Sequence, residues 1–234
     1  MLTTTLDGFL QRMELEMTHS DTPSKQSKSE RTRSSIVDCY VGLLGEVDFD
    51  KVTVSRLCKE LGIVRSTFYS YFRDIYEVTQ QVEDNLIDAF SEVDSHMRDF
   101  DEYDRARATT DWGFPIAPPY AFGLWFDVCE QHRAELKAML GPHGDAYFEQ
   151  KLRKHLERHI SLMMDQDHMP DDTLRRGFTE TMVECHMLLT RNWILHEKTS
   201  LNKDRILTIL NSMRLGSDVE GYYIGRDGIE EWWH

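Results

Sequence analysis

The stretch TVSRLCKELGIVRSTFYSYF, from Thr53 to Phe72, predicts two short helices joined by a tight turn. Thr53 is placed to cap the first helix, because a threonine hydroxyl before a helix accepts a hydrogen bond from a free backbone N–H. The apolar face of that helix consists of Val54, Leu57, Cys58 and Leu61. Gly62 then ends it, since glycine readily adopts the backbone of a turn, and a second helix begins near Val64.

A longer helix is predicted immediately before this stretch. Its apolar stripe falls at i, i+4, i+7, i+8 and i+11, the period of one helix face, and consists of Ile36, Tyr40, Leu43, Leu44 and Val47. A long helix followed by two short helices that a glycine turn joins is the pattern of a helix-turn-helix. We therefore predict such a unit from about residue 31 onward.

The remaining chain also shows helical periodicity. Apolar stripes run from Ile75 to Val93, Leu124 to Leu136, Phe148 to Met163, Leu174 to Trp193 and Ile206 to Met213. Alternating strand patterns are missing, so the predicted fold class is all-α. We divide the chain into an N-terminal extension (1–24), a helix-turn-helix domain (25–76), a helical domain (77–216) and a C-terminal tail (217–234).

The second short helix has one face for packing and one that suits nucleic acid. The apolar face consists of Val64, Phe68 and Phe72. The opposite face presents groups that bond base edges or phosphate oxygens, from Ser66, Tyr69, Ser70 and Arg73. Arg65, at the helix start, can take the O6/N7 edge of a guanine with two hydrogen bonds. The alternative is that Tyr69 and Tyr71 are packing residues and Arg65 is a solvated charge.

Charge is distributed unevenly along the chain. The formal net charge of −14 argues by itself against nucleic-acid binding, because a duplex repels an acidic surface. Residues 25–73, however, hold nine Lys/Arg and six Asp/Glu, so the acidity lies elsewhere. This distribution suits a small DNA-reading module on an acidic body, and double-stranded DNA is the partner that we predict.

The same residues carry a resemblance to a known family. The segment from Thr53 to Phe72 resembles the DNA-binding signature of the tetracycline-repressor (TetR) family of transcriptional regulators, and the resemblance extends over about residues 31–78. It implies an N-terminal three-helix helix-turn-helix domain and a C-terminal helical domain that binds an effector and dimerises. It also implies a homodimeric repressor that acts on palindromic operators and is released by a small-molecule effector.

Position by position, the resemblance implies roles for individual residues. Residues that reach bases are Arg65, Ser66 and Tyr69, and residues that contact the DNA backbone are Thr53, Thr67, Ser70 and Tyr71. Two positions depart from the family pattern. Val64 stands where a capping serine is usual, which costs the helix start ~1 kcal/mol. Ile75 stands where a lysine is usual, which removes a phosphate partner.

The resemblance also implies an effector pocket and a dimer interface in the helical domain. Residues that would line the pocket are Trp112, Tyr120, Phe122, Trp125 and Cys129, although each can instead be a core side chain. The dimer is predicted to form a four-helix seam from the helices at about 171–197 and 203–215. Their stripes are Phe178, Met182, Cys185 and Leu189 on one helix and Ile206, Leu210 and Met213 on the other.

Two alternative functions remain open from the residues. One is an interaction protein that keeps the fold but no longer binds DNA, as the net charge, Val64 and Ile75 suggest. The other is a metal-dependent helical enzyme that uses His155 and His159, which are i, i+4 on one helix. We interpret those histidines as solvent-exposed polar residues, because no third ligand has a fixed spacing, and we predict no metal site.

Other sequence features argue against further classes of protein. The motifs of nucleotide-binding enzymes and serine hydrolases do not occur, so we predict neither an enzyme nor a bound cofactor. The four cysteines are scattered without metal-ligand spacing, which fits free thiols in a reducing compartment. No apolar stretch approaches the ~18 residues of a membrane span, and the N-terminus lacks the features of a signal peptide. We therefore expect a cytoplasmic protein with no membrane partner.

Overall fold

The computed structural model of the protein describes residues 27–95, 117–166, 169–196 and 201–215. Within these ranges all regular secondary structure is helical, which confirms the predicted all-α fold class. The N-terminal extension, Trp112 and the C-terminal tail, for which the sequence also led to predictions, lie outside the described residues.

Three helices form the N-terminal unit. Helix α1 spans Lys28–Leu44, α2 spans Val54–Leu61 and α3 spans Arg65–Tyr69, with a 3-10 turn at Phe49–Lys51 between α1 and α2. Ser27 begins α1 with a capping box: its hydroxyl accepts from Glu30 N at 3.1 Å, and the Glu30 carboxylate accepts from Ser27 N at 2.7 Å. Thr53 caps α2 as predicted, accepting from Arg56 N at 3.3 Å.

The turn between α2 and α3 depends on glycine. Gly62 has φ 64° and ψ 28°, the left-handed region in which residues with a Cβ are strained. This conformation lets the N–H groups of Gly62 and Ile63 donate to the carbonyls of Lys59 and Cys58 at 3.3 and 3.0 Å, which satisfies the end of α2. The chain then enters α3 in a new direction, so the predicted helix-turn-helix is confirmed.

Six further helices build the rest of the described structure. They are α4 Ile75–Ser95, α5 Tyr120–Gln131, α6 Arg133–Leu140, α7 Ala146–Gln166, α8 Thr173–Leu195 and α9 Lys203–Met213. Helix α8 is the central element, since it contacts α5, α6, α7 and α9. No helix among the described residues is long and apolar enough to cross a lipid bilayer.

The prediction of one helix from Leu124 to Leu136 is wrong. His132 has φ −104° and ψ 30°, outside the helical region, and the chain bends there between α5 and α6. Both helices pack on α4 and α8, but α5 also contacts α9 whereas α6 also contacts α1 and α7. The apolar spacing continues through the bend, which is why periodicity alone did not reveal it.

The N-terminal unit is joined to the helical domain through the loop between α6 and α7. Phe49 N donates to His143 O at 3.1 Å, and the His143 ring lies 2.5 Å from the Asp48 carboxylate. Hydrogen bonds from Lys51 and then His143 lower the pKa of Asp48. The same loop needs glycine at Gly144, because a Cβ there would meet a backbone oxygen at 2.1 Å. The 3-10 turn before α2 therefore packs against the loop that precedes α7.

Many residues of the apolar stripes on which the predicted dimer rests are buried within the monomer. Ile206 and Leu210 are fully buried, so they belong to the core of the monomer and not to a surface. On α8, Met182 and Leu189 are also buried, whereas Phe178 and Cys185 are only partly covered. The face of α8 and α9 that stays open to solvent carries Leu174, Leu188 and Ile209.

Candidate nucleic-acid interface

Helix α3 is held on the protein by one of its own side chains and one that follows it. Phe68 is completely buried and Phe72 is 1% exposed, and their ring centroids lie 6.0 Å apart. Both belong to the main core together with Leu57 of α2 and Val78 of α4. Because α3 has only five residues, this burial and not its own hydrogen bonding keeps it helical.

The opposite face of α3 is open to solvent. Tyr69 is 55% exposed, and Arg65, Ser66, Ser70 and Arg73 are also exposed, while Thr67 is half-buried. The predicted division into a packing face and a polar face is confirmed for Phe68 and Phe72. It is wrong for Val64, which was predicted on the packing face but is exposed, because Val64 precedes the helix with an extended backbone and helical spacing does not apply to it. The exposed set combines a planar cation, hydroxyl groups and a phenol, which are the groups that bond base edges and phosphates.

Two exposed arginines are oriented by neighbours on their own unit. The Arg65 guanidinium donates to the Ser55 hydroxyl on α2, which directs it across the turn. Arg73 N donates to the Glu77 carboxylate at 2.6 Å, and this backbone N–H lowers the pKa of Glu77. Arg73 Nε also donates to the Glu77 carboxylate at 3.3 Å, but the Arg73 side chain remains 86% exposed, so its terminal N–H groups can still meet a further anion.

The helix starts near the predicted interface differ from each other. Thr53 is exposed and uses its hydroxyl to cap α2, so that hydroxyl is already engaged within the chain. Val64, at the start of α3, gives no side-chain cap, as its departure from the family pattern predicts. The first N–H groups of α3 consequently have no side-chain acceptor at this position.

Ile75 occupies a core position. It is 9% exposed and packs in the main core at the start of α4. The absence of a lysine there therefore reflects a packing role, and this position does not offer a site for a phosphate contact. Tyr71 is likewise half-buried against the core, so its side chain is less available than those of the exposed face.

Arg33 of α1 is a residue that the sequence reasoning missed. Its guanidinium donates to Tyr71 O at 3.3 Å and to the Gln81 side chain at 2.6 Å, and it lies 4.5 Å from the Phe72 ring centroid. Arg33 thus joins α1, the segment after α3 and α4, and it fixes how α3 is presented. Its partners lie 38 and 48 residues away along the chain, so no local sequence signal identifies it.

The residues predicted to line an effector pocket are part of the helical core where the structure describes them. Phe122, Trp125 and Cys129 are at most 1% exposed, and Tyr120 is half-buried. Trp125 donates through its indole N–H to the Thr190 hydroxyl at 3.2 Å, and burial raises the pKa of the Cys129 thiol. Their role toward an effector stays a prediction.

The interpretation of His155 and His159 as solvent-exposed residues is wrong. They are 8% and 1% exposed and face Asp94 of α4 across the contact between α4 and α7. Their partner lies more than 60 residues earlier in the chain, so the spacing within α7 gave no indication of it. In the part of the chain that the structure describes, no group of three or more His, Cys, Asp or Glu is arranged to hold a metal ion.

Three helices with a glycine turn and a solvent-facing third helix define a DNA-binding protein of the helix-turn-helix class. Residues 39–82 match the family model for bacterial regulatory proteins of the tetR family. This match confirms, for the helix-turn-helix domain, the resemblance found from the sequence. A transcriptional regulator is the function that the family implies, and members are regulators rather than enzymes.

Two solved structures share the fold over most of their length. One is a tetR-family transcriptional regulator from Streptomyces coelicolor, with 15% identity, 86% of this chain and 89% of that chain covered, and a TM-score of 0.51. The other is the fatty acid degradation regulator FadR from Bacillus halodurans, with 14% identity, 84% and 99% covered, and a TM-score of 0.54. At these identities the likeness shows the fold alone. No curated protein sequence matches the chain.

Proposed function

We propose that the protein is a cytoplasmic, sequence-specific repressor that binds palindromic operators as a homodimer and is released by a small-molecule effector. In this proposal residues 25–76 read DNA, and residues 77–216 dimerise and bind the effector. The observation that carries the proposal is the exposed polar face of α3, on which Arg65, Ser66 and Tyr69 point away from a buried phenylalanine anchor. Exposure of such groups on a short, well-anchored helix suits insertion into a major groove.

The assignment of roles follows from where each side chain lies. Arg65, Ser66 and Tyr69 are proposed to contact bases, because they occupy the start and middle of the exposed face. The residues that flank this face are proposed to contact phosphates, and they are Thr67, Ser70 and Arg73. Thr53 contributes through the helix start that it caps, and Tyr71 through its half-buried position beside Arg33.

Tyr69→Ala is expected to weaken binding to the DNA upstream of the protein's own gene by about 1–3 kcal/mol, or roughly fivefold to 150-fold. Removing the phenol deletes a contact to bases but leaves the buried anchor of α3 in place. Fluorescence anisotropy with labelled duplexes, repeated over a range of salt concentrations, measures the effect. Tyr147→Ala is the matched control, because Tyr147 of α7 is 72% exposed and lies outside the helix-turn-helix.

The outcomes separate the proposed function from its alternative. Salt-dependent binding that Tyr69→Ala weakens and Tyr147→Ala does not would support a DNA-reading protein. A wild-type chain that binds no upstream duplex even at low salt would instead favour the interaction protein. The burial of Ile75 and the uncapped start of α3 are the observations that favour this alternative.

The proposed homodimer rests on the solvent-facing side of α8 and α9. Leu188 is 60% exposed, Ile209 is 37% exposed and Leu174 is 36% exposed, and Phe178, Cys185 and Met213 are partly covered beside them. Large apolar side chains on one face of two adjacent helices favour a four-helix seam with a second copy. A two-fold dimer of this kind matches the symmetry of a palindromic operator.

Leu188→Lys is expected to convert the dimer to a monomer at micromolar concentration, because a charge at the centre of an apolar seam is desolvated without a partner. Sedimentation velocity measures the change. Tyr147→Lys introduces the same charge at an exposed aromatic position on α7 and should leave the dimer intact. A wild-type protein that sediments as a monomer would overturn the dimer, and a dimeric Leu188→Lys variant would overturn this interface.

A further inference from the structure

The short helix α3 has little support from its own sequence. It spans only five residues, and Val64 before it gives no side-chain cap. Its last turn holds no basic side chain that could bond the free carbonyls at its C-terminal end. An isolated helix of this length is not stable in water, so the direction in which α3 points depends on contacts from other elements.

Arg33 of α1 supplies such a contact at the C-terminal end of α3. Its Nη1 donates to the carbonyl oxygen of Tyr71 at 3.3 Å, two residues beyond the last residue of the helix. Its guanidinium lies 4.5 Å from the centroid of the Phe72 ring, which is 1% exposed. These contacts connect Arg33 to the segment that leaves α3, once through the backbone and once through a core side chain.

The same guanidinium is also bound to α4. Its Nη2 donates to Gln81 Oε1 at 2.6 Å, and Gln81 Nε2 in turn donates to Asn85 Oδ1 at 2.8 Å. The N–H donors of a guanidinium have a fixed planar arrangement, so bonds to acceptors on two different elements restrict its orientation. Arg33 therefore holds the segment after α3 in a defined position relative to α1 and α4.

Arg33 is separate from the residues that the proposed function assigns to bases. It belongs to α1, it is partly buried, and both of its terminal nitrogens donate to acceptors within the chain. The proposed base contacts come from α3, through Arg65, Ser66 and Tyr69. A hydrogen bond of about 2.9 Å is lost once its atoms lie about 3.6 Å apart, so a displacement of α3 by roughly 0.7 Å removes such a contact.

We propose that Arg33 is a positioning residue that determines the sequence specificity of DNA binding without contacting DNA. The inference rests on the proposed function, because it names the residue that orients the base-reading helix. Sequence-independent binding comes from the attraction of cations to phosphates, whereas base readout requires aligned hydrogen bonds. Loss of the Arg33 contacts therefore reduces binding to the operator and leaves sequence-independent binding unchanged.

The test replaces Arg33 by lysine in the full-length protein. Lysine keeps the positive charge, but its single ammonium group cannot reproduce the planar arrangement that bonds Tyr71 and Gln81 and lies over the Phe72 ring. Fluorescence anisotropy measures binding to the upstream duplex and to a scrambled duplex of the same composition. We expect Arg33→Lys to weaken binding to the upstream duplex by about fivefold or more, as one lost base contact does, and to change binding to the scrambled duplex by less than about twofold.

Arg133→Lys is the matched control. The Arg133 guanidinium donates to the carbonyl oxygen of Trp193 at 2.7 Å and lies 5.2 Å from the centroid of the Trp193 ring. Arg133 therefore makes the same two kinds of contact within the helical domain, away from α3. Arg133→Lys should leave the ratio of the two affinities as it is in the wild-type protein. Urea unfolding of both variants shows that they remain folded under the conditions of the binding measurement.

Two further variants separate a positioning role from a direct DNA contact and from a loss of folding. Arg33→Met removes the charge: a lost phosphate contact would lower the slope of log affinity against log salt concentration by about 0.9, whereas we expect the slope to stay unchanged. Gln81→Met removes only the acceptor on α4, so it decides the matter even where the Arg33 variants fail to fold. It should lower the ratio of the two affinities by about threefold or more, as the loss of one hydrogen bond does.

Three outcomes would overturn the inference. They are a wild-type ratio of affinities in Arg33→Lys, or in Gln81→Met where Arg33→Lys is unfolded; equal weakening on both duplexes; and a reduced salt slope in Arg33→Met. The wild-type protein alone decides the proposed function. A wild-type protein that binds both duplexes equally would overturn the proposed function and this inference with it, whereas a wild-type protein and an Arg33→Lys variant that discriminate equally well would overturn this inference only.

Discussion

Replacing Phe68 by alanine is expected to lower the free energy of unfolding by about 3–5 kcal/mol and to abolish DNA binding at the same time. Phe68 is completely buried and is the only buried side chain of α3, which spans just five residues. Its loss leaves a cavity against α2 and α4 and removes the contact that keeps α3 folded. Urea unfolding monitored by circular dichroism measures the change in stability.

The neighbouring residue provides the control for this prediction. Tyr69 is 55% exposed, so Tyr69→Ala should change the free energy of unfolding by only about 0.5 kcal/mol or less while still weakening DNA binding. The two variants would then show that Phe68 determines the stability of the fold, whereas Tyr69 affects DNA binding alone. A Phe68→Ala variant with wild-type stability would show that α3 is held by contacts other than its phenylalanine.

Acid is expected to destabilise the protein through His186. Burial first, and the nearby His159 second, lower the pKa of His186 to about 3, compared with about 6.5 in the unfolded chain. Between these values the unfolded chain binds a proton that the folded protein does not, so stability falls as the pH decreases through this window. The share of His186 in the loss between about pH 7 and pH 5 is about 2 kcal/mol.

His186→Phe should therefore flatten the dependence of stability on pH. A phenylalanine keeps a ring beside Phe122 and Phe126 but cannot take up a proton. Urea unfolding at the two pH values gives the comparison, with His196→Phe, an exposed histidine just beyond the same helix, as the control. If His186→Phe loses as much stability on acidification as the wild-type protein, the titrating group lies elsewhere.

Local signals were sufficient to predict the helix-turn-helix. The cap at Thr53, the left-handed turn at Gly62 and the apolar face of α2 are each determined by a few adjacent residues, and all appear as predicted. The burial of Phe68 and the exposure of Tyr69 follow from helical spacing in the same way. Val64 does not follow it, because it lies before the first residue of α3. By contrast, the bend at His132 interrupts no apolar spacing, so the sequence pattern could not distinguish two helices from one.

Contacts between residues far apart in the sequence could not be predicted from it. Arg33 resembles any charged residue of an amphipathic helix until Tyr71 and Gln81 meet it in the fold. His155 and His159 resemble surface residues, because the carboxylate that faces them belongs to α4. Ile206 and Leu210 form an apolar stripe whichever neighbour covers them, and the structure shows that this neighbour is within the same chain.

In α3 the side chain that holds the helix is different from the side chains that face solvent, and this separation has an evolutionary consequence. One buried side chain fixes the helix, and Arg33 fixes the segment that follows it from outside the recognition face. The exposed positions are consequently almost free of structural constraint, since substitutions at exposed sites typically change stability by no more than about 0.5 kcal/mol. Under the proposed function, substitutions at Arg65, Ser66 and Tyr69 would therefore change the DNA sequence that is bound without first requiring compensating mutations in the scaffold.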